Sequence, residues 1–510
     1  MAGWSPEQRD AALYLACALF AAGMAGTSSI ALYRAWGRLA VGPYAAGALA
    51  SGWMALRDRR SERTAPPGTA VVAAAGDGWH WTTPRLAIFL VVLVGATLAP
   101  LSLEILWRTQ GVPTSTVHVQ PEVQVVETAG QRVAQGKDPY RNLNPRHLPP
   151  APAGQPAYDV FNPYLPLMSV FGLARGVNAP PQLSDARVGF SLVTMLLVAA
   201  ALALCRGPAA PRVLTLQAMT VLPTAALPLA TGGDDLPIVA LMLLGLVLLQ
   251  RRRPFGAGVV LGIGAAMKLT AWPLAAIAVF AARDRDGRRT WRARAWLMAG
   301  VLGVMVPAVV PTMLSNMSAF VENVIRFPLG LAGVTSPAAS PLLGHVLVTV
   351  FPHLHRGITA AIVLAGAVAM VYVLVRHTPR TPWELARLLG WAMVGAIVLA
   401  PSTRVGYALY PIDLLIWAWM LRTEERHDRG PGEVVEVAEA VVGATDHHDR
   451  SHAGSGGGAV PGRRAGRRFA SVPVLRWVAG GASGRLALAR RHAGTQVLRH
   501  AGAQALSERT

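Results

Sequence analysis

Apolar runs recur along the chain at 13–33, 39–56, 86–107, 188–205, 213–231, 236–250, 295–315, 357–375, 384–400 and 405–421. Each has roughly the 15 to 25 residues that carry a helix across about 30 Å of hydrocarbon. One further stretch, 256–282, lies between two arginine clusters, Arg251-Arg252-Arg253 and the segment Arg283 to Arg294. With both clusters on one side of a membrane, that stretch cannot be a single pass. It predicts two short helices meeting near Lys268 to Pro273, a hairpin that enters from the cytoplasmic face. Broken helices at membrane depth persist only where protein shields their backbone or where they line a polar cavity, so the hairpin points to a site. Counting it as two, the pattern predicts an all-α, polytopic integral membrane protein of about twelve segments.

The polar intervals set an orientation. Arg57 to Arg63, Arg206 with Arg212, and Arg376 to Arg387 join the two clusters above on the cytoplasmic side, as the positive-inside rule expects. Both termini then fall inside, and the long polar stretches 108–187 and 316–356 fall outside. The first run has no cleavage pattern after it and reads as a signal anchor. Three regions follow: 1–85, two helices and a cytoplasmic linker; 86–421, the membrane domain with its long outer loops; and 422–510, a cytoplasmic tail. The tail is acidic over 422–450 and rich in Gly and Arg over 451–510, a composition that predicts disorder. Its basic stretch, Arg476 to Arg499, suits contact with anionic membrane lipid.

Composition changes this picture little and excludes much. Hydrophobic residues make up 53% of the chain and charged ones 15%, which rules out a soluble globular fold of this length. The net charge of +20 sits largely in the arginine clusters and the tail, so it reports orientation and not nucleic-acid binding. The two cysteines, Cys17 and Cys205, lie in apolar runs and form neither a disulfide framework nor a metal motif. No cofactor is expected, and the sequence leaves metal dependence open.

Candidate chemistry collects where polar residues interrupt the outer ends of the runs. Such residues are costly at membrane depth, and each is a functional candidate for that reason. The first outer loop carries Glu122-Val-Gln-Val-Val-Glu127, then Gly136-Lys137-Asp138-Pro139-Tyr140, then Tyr158-Asp159-Val-Phe161-Asn162-Pro163-Tyr164. Residues 122–135 suit a short helix ended by Gly136. The next outer turn holds Thr231-Gly-Gly-Asp234-Asp235, where the acids suit a metal, a sugar hydroxyl or simple capping of the following helix. Lys268 ends Gly258-Val-Val-Leu-Gly262-Ile-Gly264-Ala-Ala-Met and has no carboxylate beside it in sequence, so it needs a partner. A lipid phosphate would serve as one. Arg326, in Glu322-Asn-Val-Ile-Arg326-Phe-Pro328, and Arg404, in Pro401-Ser-Thr-Arg404-Val-Gly406-Tyr407, are cations on the outer side against the positive-inside trend. With Lys268 they suggest an anion site. Ser336-Pro-Ala-Ala-Ser340 and His345 lie in the second outer loop.

The order of these motifs resembles the GT-C type membrane glycosyltransferases, and among them glycosyltransferase family 87. That family includes polyprenol-phosphate-mannose-dependent mannosyltransferases of actinobacteria. The likeness runs over roughly 86–421 and rests on the early acid, G-x-D-P-Y, the aromatic-proline segment, the Asp turn, the glycine-rich hairpin with its lysine and the late P-S-T-R-x-G-Y. It implies an enzyme of the plasma membrane with its active site on the outer face. The implied partners are a polyprenyl-phosphate sugar donor, with mannose the expected hexose, a glycan or glycolipid acceptor, and membrane lipid; no nucleic acid is expected. The implied reaction inverts the sugar in one displacement. It needs a base for the acceptor hydroxyl, positive charge for the departing phosphate and a groove for the lipid. The family's acid falls at Glu122, where Asp is more usual, with Asp138 as the catalytic rival and Asp235 behind it. Lys268, Arg326 and Arg404 would meet phosphate, and Asp234, Asp235, His345 and Tyr140 the sugar. A transporter or flippase is the alternative reading, although the long motif-bearing outer loops and the lack of a repeat speak against it.

Overall fold

The apolar runs fold as helices. The computed structural model describes residues 4–64, 83–111, 118–143, 157–177, 179–332, 334 and 338–429. In chain order the principal helices are α1 (Pro6–Thr27), α2 (Ala31–Thr64), α3 (Pro84–Thr109), α4 (Pro121–Ala134), α5 (Ala186–Leu204), α6 (Ala209–Thr231) and α7 (Asp235–Gln250). They continue as α8 (Pro254–Met267), α9 (Leu269–Phe280), α10 (Trp291–Ser315), α11 (Leu343–Val350), α12 (Pro352–Arg376), α13 (Pro382–Leu399) and α14 (Leu409–Asp428). Among the described residues there is no strand, only an isolated bridge between Ala339 and Thr403. Eight of these helices, α1, α2, α3, α5, α6, α10, α12 and α13, are long and apolar enough to cross a membrane, and α7, α8 and α9 are shorter apolar helices. The protein is a polytopic α-helical membrane protein. The tail beyond residue 429, most of the linker after α2 and Ser336 lie outside the described residues.

Local chemistry accounts for the helix ends. Ser5 with Gln8 and Thr381 with Glu384 form capping boxes at the starts of α1 and α13. Pro opens α4, α8 and α13 at the one place where its missing N–H costs nothing. Gly136, at φ +69°, closes the turn after α4, and Gly232, at φ +117°, ends α6.

At the centre stands α7, apolar all round and buried from Asp235 to Leu249, as a helix with no polar face must be. Its hydrophobic cluster takes in α5, α8, α9, α10, α13 and α14. Gly258 and Gly262 of α8 face Gly300 and the backbone of α10 so closely that a Cβ on Gly258 would stand 2.0 Å from the Leu297 carbonyl oxygen. This is the close approach that small residues permit between membrane helices. At the rim, α12 is almost wholly unburied, which suits a helix facing lipid.

The expected hairpin is present. Lys268 is extended, at φ −151° and ψ 141°, between α8 and α9. The two ends of the hairpin return to the same place, because Arg252 donates from Nη1 to the Arg285 carbonyl at 3.1 Å. Nearby, Arg251 pairs with Glu424 at the far end of α14, whose carboxylate also accepts from the Arg206 N–H at 2.5 Å. One end of the bundle is thus an arginine-rich collar. Lys268, Asp235 and the start of α14 meet at the opposite end.

Candidate active site

The short helix α4 carries Glu122 in its first turn and is held from three sides. Gln120, just before it, donates through Nε2 to the Tyr33 hydroxyl at 3.0 Å and to Thr231 Oγ1 at 2.8 Å. Gly130 lies against Gly172, where a Cβ would stand 2.2 Å from backbone carbon, so α4 rests directly on the 166–176 segment. Glu127 then fixes its rotation. This buried carboxylate accepts two bonds from Arg108, at 2.9 and 2.7 Å, and one from the Ala186 N–H at 3.0 Å. Arg108 also reaches Asp185, which in turn holds Arg187. Buried charges persist when each is paired in this way. Glu127 is consumed by that lattice; Glu122 is not part of it.

Glu122 meets Arg404 instead. The two form an ion pair with their side chains 19% and 33% exposed, so both remain open to a ligand. Arg404 is presented by a loop clamped from the second outer segment. Ser340 donates its N–H to the Thr403 carbonyl at 2.9 Å, and its hydroxyl accepts from the Val405 N–H at 3.1 Å. His345 completes the clamp through Nδ1, 3.0 Å from the Pro401 carbonyl, which places a proton on that nitrogen because a carbonyl only accepts. Burial alone would lower the Arg404 guanidinium, but the Glu122 carboxylate more than offsets it and the net movement is upward.

A second acid belongs to this cluster. Asp159 has a buried Oδ2 with no hydrogen-bond partner. Burial first, then the Glu122 charge, pushes its carboxyl up to about 7 against the lowering field of Arg404. Nothing in the spacing of Tyr158-Asp159-Val-Phe161 brings Asp159 to Glu122, so the sequence alone gives it no role.

Deeper in, Lys268 finds the partners that its own neighbourhood lacked. Its Nζ donates to Asp234 Oδ2 at 3.0 Å and Asp235 Oδ1 at 2.6 Å, and lies 5.3 Å from the centre of the Tyr164 ring. Asp234 makes no side-chain cap to α7, so its carboxylate serves the lysine and not the helix end. The Tyr410 hydroxyl donates to Asp235 at 2.5 Å, which leaves it to accept from Thr270 at 2.7 Å. Tyr407 lies in the fields of both Lys268 and Arg404, linking the two clusters; burial raises its phenol.

The remaining sequence candidates are placed differently. Asp138 accepts from the Tyr140 N–H at 2.7 Å and from Ser315 at 3.3 Å. Tyr140 is 1% exposed and donates its hydroxyl to the Tyr164 carbonyl at 2.8 Å, with its ring edge-on to Phe320. These two residues hold the loop together. Arg326 pairs with Glu322 at 3.3 Å and with the Leu331 carbonyl at 3.2 Å, and its contacts are not those of the Glu122 or Lys268 clusters. Among the described residues no three His, Cys, Asp or Glu side chains gather as a metal-holding group.

Arg404, the lysine clamped by two aspartates and the glycine-packed hairpin fall within one stretch of sequence that a family model also matches. The model is glycosyltransferase family 87, and it covers residues 164–421. The chain belongs to glycosyltransferase family 87. It is therefore a membrane glycosyltransferase, with a sugar donor and an acceptor as its substrates. Of the clusters above, the match includes Asp234, Asp235, Lys268 and Arg404, while α4 with Glu122, and Asp159, precede it. Comparison with curated proteins and with solved structures gives no match.

Proposed function

We propose that this glycosyltransferase moves a hexose, mannose by the family likeness, from a polyprenyl-phosphate sugar to a hydroxyl of a glycan or glycolipid. The observation that carries the reading is the Glu122–Arg404 pair, an acid and a cation side by side and both partly open. The acceptor oxygen attacks the anomeric carbon as the carbon–oxygen bond to phosphate breaks, so the configuration inverts. The phosphate leaves with the electron pair as polyprenyl phosphate, and the acceptor proton passes to Glu122 as general base. Arg404 stabilises the charge that grows on the leaving phosphate. Arrival of the donor draws the guanidinium toward phosphate and frees the Glu122 carboxylate for the acceptor.

Lys268 is already matched by two carboxylates, and we assign it the positioning of Asp234 and Asp235, whose free lone pairs face sugar hydroxyls. His345 positions the Arg404 loop, and Tyr140 and Asp138 the first outer loop. We place the site on the extracytoplasmic face of the plasma membrane because the arginine collar occupies the other end of the bundle. Family membership favours the enzyme over the transporter.

The test is transfer of radiolabelled mannose from polyprenyl phosphomannose in membranes that overproduce or lack the protein. Label should enter a glycan or glycolipid fraction in proportion to the protein and not with Glu122→Gln. Equal labelling in all three membranes would overturn the proposal.

A further inference from the structure

A crevice beside Glu122 is used by none of these steps. It opens between α4 and the stretches 139–141 and 159–162, lined by Gln124, Thr128, Arg132, Arg141, Asp159 and Asn162. Its space is about 50 Å³. A water occupies about 30 Å³ in the liquid, so the crevice has room for a compact group of a few heavy atoms.

Its charge says which group. Arg132 donates from Nε to the Asp138 carbonyl at 2.7 Å and from Nη2 to the Tyr140 carbonyl at 3.2 Å. These bonds to carbonyls aim the guanidinium, which also lies in the field of the Asp138 carboxylate. Arg141 is exposed and close enough that its field, after burial, lowers the Arg132 guanidinium. Two like charges held together want an anion between them. Across from them, the orphaned buried Oδ2 of Asp159 is a polar atom waiting for a partner. With its carboxyl pushed up to about 7, Asp159 can also carry a proton and donate it to an oxyanion. Arginine forks and a neutral carboxyl form the donor set that a tetrahedral phosphate accepts from best.

We propose that this crevice is a phosphate subsite next to the transfer centre, framed by Arg132, Arg141 and Asp159. Its place in catalysis rests on the reading of Glu122 given above. The phosphate belongs either to the sugar donor or to the acceptor, and kinetics separate the two.

The first test needs no turnover. Inorganic phosphate, compared with chloride at equal ionic strength, should raise the unfolding temperature of the detergent-solubilised full chain. Arg141→Gln should lose that rise and Arg141→Lys should keep part of it. Arg141 is chosen because its exposed side chain can be replaced without breaking the carbonyl bonds that Arg132 makes. An equal rise in wild type and Arg141→Gln, or none in wild type, would overturn the subsite. In the transfer assay, Arg141→Gln should raise one KM about tenfold with kcat little changed, the loss expected for one charge-assisted bond. A raised acceptor KM places the phosphate on the acceptor and a raised donor KM on the donor; no change in either counts against the subsite. Phosphate binding without any mannose transfer would sink the proposed donor chemistry and leave the subsite standing.

Discussion

Arg404 donates to the carboxylate of Glu122 across 282 residues of chain. Neither residue is placed by its own local segment alone. Glu122 is set by the Gln120 tether and the Glu127 lattice behind it, and Arg404 by the Ser340 and His345 clamp. Two rigid supports meet at one partly open ion pair, which is how a reacting pair is held in geometry without being buried.

Removing the acid while keeping its shape tests the base. Glu122→Gln should insert and fold as the wild type does and lose about 10²- to 10⁴-fold in kcat. Radiolabel transfer together with the unfolding temperature checks this. Near-normal turnover would move the base to Asp138 or Asp235.

Arg404→Gln should lower kcat/KM by about 10²- to 10³-fold, the scale on which loss of one charge-stabilising donor acts. Ser340→Ala removes only the hydroxyl that accepts from Val405, so it should weaken the same rate by a few fold. Equal effects of the two substitutions would show that Arg404 acts through the loop and not on phosphate.

Lys268 balances two buried carboxylates, and taking it away leaves them facing each other. Lys268→Met should cost about 3–5 kcal/mol of stability, the usual result of breaking a buried ion pair on one side. Neutralising all three, with Asp234→Asn and Asp235→Asn added, should restore much of that stability but no activity. Denaturation of the solubilised protein reads the first effect and the transfer assay the second. Restored activity in the triple variant would remove these acids from the site.

Asp159 predicts a pH dependence with a definite sign. Its folded-state carboxyl sits at about 7, above the ordinary 3.8. The folded form therefore favours the proton. The stability this gives is present in full below 3.8 and is lost as the pH rises through about 7. Between pH of about 5 and about 8 the wild type should lose more stability than Asp159→Asn, which cannot ionise. Parallel pH curves for the two proteins would show that Asp159 does not carry this charge.

Gly258→Leu tests the helix packing that shapes the hairpin. Its Cβ would meet the Leu297 carbonyl oxygen at 2.0 Å, so α8 and α10 must part. A loss of about 1–3 kcal/mol or more is expected, read as a lower unfolding temperature. Gly303, which faces open space, should accept Ala with little change.

The helices of this protein were written in its local pattern. A run of apolar residues is long enough to span or it is not, and arginines flank it or they do not; both facts need only neighbours in sequence. For that reason most of the runs, the break at Lys268 and the Gly136 turn are found where the pattern puts them, although among the described residues eight helices, not about twelve, are long and apolar enough to span. The motif order likewise led to the right family from residues alone. What sequence could not supply was pairing between distant charges. Lys268 has no carboxylate beside it in sequence because its partners, Asp234 and Asp235, arrive from the start of α7. Asp159 passed without a role because its field comes from Glu122 and Arg404, both far along the chain. Electrostatic energy falls with distance in space and is blind to separation in sequence, so only the packed helices could decide which charges are neutralised and which remain open.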